Sequence, residues 1–310
     1  MNKKLLLFVL GVVFVVLISF ILKTGVFDQT KPQAQQSNPK VNVVASFYPL
    51  YFFTSQIGGD KVEVTNITPA GAEPHDYEPT TGDIAKIENS RMLVLNGGVE
   101  AWGDKIKDNL KGKNVELVVA GDGLLTQQLT ENGETGADPH IWLDSQLAKK
   151  EAHAIEQGLE KVDPNNTSSY QANEKTLDDK LDQLDSDYKK GLANCTNKNI
   201  ITSHAAFGYL ANRYGLKQVP IAGLSPDAEP SAQQLVDVAK FAKANNVDYI
   251  FFESLVSPKL SETIATEIGA KTLVLDPLEG LIDSDIKAGK DYFSVMHQNL
   301  DNLRTALKCT

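Results

Sequence analysis

Short β-branched runs alternate with helix-like segments, the same order occurs in two halves of the chain, and one long amphipathic stretch separates the halves. These three observations predict an α/β fold: two Rossmann-like lobes, each on a parallel sheet, joined by one long rigid helix. A length of 310 residues suits a pair of lobes, and a hydrophobic content of 42% suffices for packed cores, which excludes wholesale disorder.

The first segment stands outside that fold. Lys3 and Lys4 precede an apolar run from Leu5 to Leu22, interrupted only by Gly11 and Ser19. At ~1.5 Å per residue it is ~27 Å long, near the ~30 Å hydrocarbon core of a bilayer. It reads as a cleaved secretory signal or an uncleaved anchor. No A-x-A site and no Cys follow it, which favours the anchor for residues 1–27. Residues 28–40, DQTKPQAQQSNPK, are a polar tether. Either reading sends the rest of the chain out of the cytoplasm.

The first lobe is expected over 41–163. VNVVAS (41–46) is a β-branched strand, followed by a helix to about Ile57. KVEVTNI (61–67), RMLVLN (91–96) and NVELVVA (114–120) are further strands, with helices at 81–89 and about 99–110. Apolar runs of this length indicate parallel strands covered on both faces. Residues 121–137 read as a loop.

The connection between the lobes is helical. SQLAKKEAHAIEQGLEKV (145–162) stops at Asp163-Pro164, where Pro cannot continue a helix. A second helix runs from Asn166 to Leu192. Its apolar stripe is Tyr170, Leu177, Leu181, Leu184, Tyr188 and Leu192, at helical spacing, over ~40 Å. Residues 164–194 are therefore read as the linking helix.

The second lobe, 195–310, repeats the order. NIITS (199–203), LKQVPIA (216–222), VDYIFF (247–252) and KTLVLD (271–276) are its strands, with helices near 205–214, 231–244 and 258–268. The loops AGAEPHDYEP and GLSPDAEPSA share an A-E-P element.

Composition narrows function. There are 30 Lys+Arg against 40 Asp+Glu, a net charge of -10 and no basic block, so nucleic acid is not an expected partner. No phosphate loop, dinucleotide fingerprint or nucleophile elbow occurs. The two cysteines, Cys195 and Cys309, form no Cys-x-x-Cys; outside the cytoplasm they either pair or stay as free thiols.

The histidines are more informative. His75 follows the second strand of the first lobe, His140 its fourth, and His204 the first strand of the second lobe. Ligands of open α/β sheets bind beyond the carboxyl ends of the strands, so all three can face one cleft. Asp276 and Glu279 follow the last strand. Three neutral imidazoles and one carboxylate make a tetrahedral set suited to Zn²⁺ and leave one net positive charge. His153 and His297 fall within helices and are expected to be exposed or locally bonded. Phe47, Tyr48, Trp102 and Trp142 either wall the site or belong to the core.

From about residue 41 onward the chain resembles the zinc/manganese solute-binding proteins of bacterial metal ABC importers. The motifs are ASFYPLYFFTSQIGGD, GAEPHDYEPT, NGGVEAW, DPHIWLD, Y-x-x-N-x-x-x-L at Tyr170–Leu177, ITSHAAFGYLANRYGL, FFE and PLEG. The resemblance implies a monomeric receptor without catalysis, with a metal cleft between the lobes, that delivers its ion to a membrane permease. It implies His75, His140 and His204 as ligands. Manganese members often carry Glu where His204 stands, so Zn²⁺ is expected over Mn²⁺. Glu279 of PLEG is favoured as fourth ligand, with Asp276 as the alternative and a cap of the following turn as its other role. Three features depart from the family: 121–137 lacks a His-rich or acidic run, Pro74 precedes His75 where some zinc members have Glu, and no lipid-anchoring Cys is present. Competing readings are a manganese receptor of the same family, a secreted zinc hydrolase using the three His, and a surface adhesin that also holds zinc.

Overall fold

The computed structural model describes Asn2 and residues 39–131, 134–226 and 230–310. Lys40–Thr310 form a compact unit of their own. The run Leu5–Leu22 lies outside the described residues; among those described, no helix is long and apolar enough to cross a membrane.

The first half holds β1 (Val41–Ala45), α1 (Tyr48–Gly58), β2 (Val62–Asn66), α2 (Thr81–Glu88), β3 (Met92–Leu95), α3 (Gly103–Leu110) and β4 (Glu116–Val119). A hairpin of β5 (Gln128–Glu131) and β6 (Glu134–Ala137) follows, then α4 (Ser145–Val162) and α5 (Thr167–Gly191). The second half holds β7 (Asn199–Thr202), α6 (Gly208–Tyr214), β8 (Lys217–Pro220), α7 (Ala232–Ala244), β9 (Tyr249–Phe252), α8 (Lys259–Ile268), β10 (Lys271–Val274), α9 (Asp283–Lys287) and α10 (Tyr292–Leu307).

The two main sheets are parallel, ordered β2-β1-β3-β4 and β10-β9-β7-β8. Read from opposite ends these are the same topology. The order reverses between β1 and β3 and between β7 and β9, and ligands of such sheets gather beyond that reversal. The continuous apolar runs are explained by two-sided burial. Val43, Ala45, Met92 and Val94 point into the main core, while Val44, Leu93 and Leu95 enter an outer core with Trp102 and Ile106. Trp102 thus belongs to the outer core, one of the two places expected for it. The second sheet divides likewise, with Ile200 in the main core and Ile201 and Ile250 in another outer one.

The main core is continuous from Val43 to Leu307, and α5 runs through it. Its 25 residues span ~37 Å. The whole stripe from Tyr170 to Leu192 is buried. Near its start Asn173 Nδ2 donates to Ile57 O, and near its end Tyr188 Oη donates to Met296 O. One helix therefore grips α1 of the first half and α10 of the second.

Among the boundaries that differ from the sequence expectation, three are instructive. Residues 121–137 carry the β5–β6 hairpin, because polar side chains hide its alternation; the pairing of Glu131 with Glu134 brackets Asn132-Gly133, a hairpin signal in sequence. The segment after β7 turns before α6 begins at Gly208, since bonds from neighbouring strands hold the backbone around His204. β10 ends at Val274, which leaves Asp276 in the loop. Cys195 and Cys309 form a disulfide.

Candidate metal centre

Each group of the site stands on a loop beyond a strand, and each loop is tied down by hydrogen bonds from near and distant residues. In Asp138-Pro139-His140 the Asp138 carboxylate accepts from both the backbone N–H and Nδ1 of His140, at 3.0 and 2.8 Å. Asn96 Nδ2, from the loop after β3, holds Pro139 O at 3.0 Å. His204 repeats the device with a partner distant in sequence. Glu253 Oε1, at the end of β9, accepts from His204 N–H and Nδ1 at 3.2 and 2.7 Å. Thr202 Oγ1 and Gln218 Nε2 both donate to His204 O. Carboxylates that hold Nδ1–H fix the tautomer: in the neutral rings of His140 and His204 the lone pair is on Nε2.

Glu279 owes its position to a strained turn. Leu278 has φ of +59°, a left-handed conformation that costs a branched residue energy. Asp276 compensates it: one oxygen accepts from Leu278 N–H at 2.7 Å and the other from Ser254 Oγ. Asn299 brackets the Asp276 backbone with two bonds. The Asp276 carboxylate is thus engaged in the turn, while Glu279 Oε1 faces the imidazoles. Trp142 Nε1 pins the same loop through Pro277 O at 2.7 Å, and its ring lies 5.2 Å from that of His140. Phe47 packs edge-on against Trp142.

The donors converge. His75 Nε2 lies 3.3 Å from His140 Nε2 and 3.2 Å from Glu279 Oε1. His140 Nε2 lies 3.0 Å from Glu279 Oε1 and 3.3 Å from His204 Nε2, which is 3.3 Å from Glu279 Oε1. Four donors make six pairs, and five of them are separated by 3.0–3.3 Å. Ligands ~2.0 Å from a tetrahedral ion stand about 3.3 Å apart. These four groups could hold a metal ion. His140, His204 and Glu279 are buried, and the His75 side chain keeps 10% of its exposure. A cavity of about 660 Å³ lined by Tyr48, Thr68 and Asp291 reaches Glu279. A larger one, about 950 Å³, lies between α7 and α8 and touches none of these residues.

Charge coupling outweighs burial at these groups. Burial lowers the proton affinity of His140, but hydrogen bonds to Asp138 and Glu279 prevail and raise it. Burial likewise opposes protonation of His204, yet the Glu253 and Glu279 charges raise it well above its ordinary value. Burial pushes Glu279 up, but His204 and the other imidazoles hold it well below the carboxylate range. Glu73 differs: burial and then the charge of Glu279 push its carboxyl up to about 9, so it is a neutral acid at pH 7. Its Oε1 accepts from His75 N–H at 3.2 Å.

Sequence reasoning missed Asp138, Glu253 and Glu73 as parts of this site. Asp138 had a local signal, an acid two residues before a loop His. Glu253 sits inside the quoted FFE run, but its pairing with His204 depends on β9 lying beside β7. The other histidines stand apart: His153 and His297 are exposed, bonded to Glu174 and to Phe293 O.

The family model for ZnuA, "Zinc-uptake complex component A periplasmic", matches residues 43–306. The chain belongs to the ZnuA family. The high-affinity zinc uptake system protein ZnuA of Bacillus subtilis is 41% identical over 307 residues, 95% of this chain and 96% of that protein. The crystal structure of Zn(II)-bound AdcA from Streptococcus pneumoniae is similar with a TM-score of 0.76 and 41% identity, over 87% of this chain. The match covers 58% of AdcA, so the present chain spans little more than half of that ZnuA relative. The laminin binding protein Lmb of Streptococcus agalactiae, described as bifunctional with adhesin and metal transporting activity, has a TM-score of 0.79 at 35% identity. It matches over 87% of this chain and 100% of Lmb.

Proposed function

We propose that the chain is an extracytoplasmic receptor that binds one Zn²⁺ through His75, His140, His204 and Glu279 and delivers it to a membrane ABC permease. The observation that carries this reading is the set of donor separations of 3.0–3.3 Å, the edge lengths of a tetrahedron around Zn²⁺. Three imidazoles suit Zn²⁺ better than the oxygen-preferring Mn²⁺. Names of the relatives, a zinc uptake protein and a Zn(II)-bound structure, support the same ion.

A hydrolase needs a coordination position left for water and a separate base. Glu279 is the acid at the imidazoles, and its Oε1 contacts all three, which favours a closed, binding site. Laminin binding stays a property of the Lmb neighbour. The Cys195–Cys309 bridge suits an oxidising compartment, in keeping with residues 41–310 lying outside the cytoplasm. Tethering through Leu5–Leu22 and a monomeric state complete the proposal.

The deciding experiment is elemental analysis of protein purified without added metal, followed by exposure to equal Zn²⁺ and Mn²⁺. One tightly held equivalent of zinc is expected after dialysis. Stoichiometric manganese without zinc would overturn the choice of ion, and a tightly held equivalent retained by the His140→Ala/His204→Ala double variant would overturn the site.

A further inference from the structure

His153 and Glu156 stand one turn apart on α4, and Glu174 on α5 completes a cluster with them. Residues three apart on a helix share a face. One donor atom from each of the three lies within 4.8 Å of the others. His153 Nδ1 is 2.8 Å from Glu174 Oε1, and His153 Nε2 is 3.0 Å from Gln157 Nε2. An independent observation comes from Glu156. It is 3% exposed, and its Oε1 is buried with no hydrogen-bond partner. An isolated buried carboxylate oxygen is costly and calls for a cation or a proton.

No protein cation answers it. Among the described residues, Glu174 forms an ion pair with His153 alone, and neither Glu156 nor the adjacent Glu160 pairs with any Lys or Arg. Burial, followed by a side-chain hydrogen bond with Glu160, pushes the Glu156 carboxyl up to about 7.

We propose that His153, Glu156 and Glu174 form a second, weaker site for a divalent transition-metal ion, which ties α4 to α5. An imidazole and two carboxylates from facing helices are the donors that helical bundles use for such ions. With one nitrogen and two oxygens it holds Zn²⁺ less tightly than the three-imidazole site, and water completes the shell. Its side chains are disjoint from those of the cleft, so it stands or falls independently of the proposed receptor function.

The test is calorimetric titration of the full chain with Zn²⁺ itself to millimolar concentration. Wild type should take two equivalents, the second at least ~100-fold weaker. His153→Ala, at an exposed side chain, and Glu174→Gln, a near-isosteric change at a partly buried one, should each lose the second equivalent and keep the first. Far-UV circular dichroism checks that both remain folded. Wild type saturating at one equivalent in the cleft, or a second equivalent that persists in both variants, would overturn the proposal. If the first equivalent were absent and the second present, the cleft assignment would fail and this one would stand.

Discussion

The second carboxylates are where the site is tuned. Asp138 and Glu253 do not face the proposed ion, yet each holds an imidazole in place through Nδ1. Replacing either by Ala should weaken zinc ~10–100-fold with all four proposed ligands intact. Glu279→Ala should cost more. Asp276→Ala should mainly lower thermal stability, because Leu278 loses the acceptor that offsets its left-handed backbone. Competition titration against a chelator, beside thermal melts of the same variants, separates the two effects. Glu73→Gln imitates a neutral acid and should leave affinity at pH 7 within a few-fold of wild type.

The same residues set the pH dependence. His140 and His204 have raised affinities for protons in the metal-free protein, so their stabilising contribution is complete below the ordinary His value of ~6.5. It is lost as pH rises through their folded values. Glu279 is lowered, so its contribution is present above ~4.5 and lost as pH falls through its folded value. Zinc must displace the imidazole protons. The increase in Tm on adding zinc should therefore grow between pH 6 and pH 8; a gain that shrinks over that range contradicts the assignment. The convergence of His75, His140 and His204 was legible in sequence because loops beyond strand ends are read from the strands. Glu253 was not, because its role depends on which strand lies beside which.

At the scale of elements, what was legible is what burial dictates. The α5 stripe could be read to the residue because each of its members is buried along one face. The β5–β6 hairpin could not, since it has little apolar surface to advertise itself. Helix starts slipped where side chains bind the backbone before the first turn, as at His204. The two ends of α5 give a quantitative test. Tyr188→Phe removes a buried hydrogen bond to Met296 O, which keeps its helical donor, and should cost about 0.5–1.5 kcal/mol. Asn173→Ala, at a partly buried bond, should cost less. Urea unfolding is the measurement: a lower midpoint with unchanged m-value is expected for both.

For the molecule as a whole, the repeated strand order suggests two separable lobes, but the core does not divide with it. Side chains from Val43 to Leu307 form one continuous cluster around α5. Metal-free protein should accordingly unfold in one calorimetric transition; two resolved peaks would show that the halves melt apart. Breaking the Cys195–Cys309 bridge by Ser substitution should cost about 4–5 kcal/mol, the closure entropy of so long a loop. That bridge also has a topological consequence. It turns residues 195–309 into a covalent ring, and β7 to β10 with α6 to α10 all lie on it. A protease that cuts anywhere on the ring opens it without releasing a fragment. A once-nicked receptor keeps its full mass until reduced, and with it both His204 and Glu279 on the same molecule as His75 and His140.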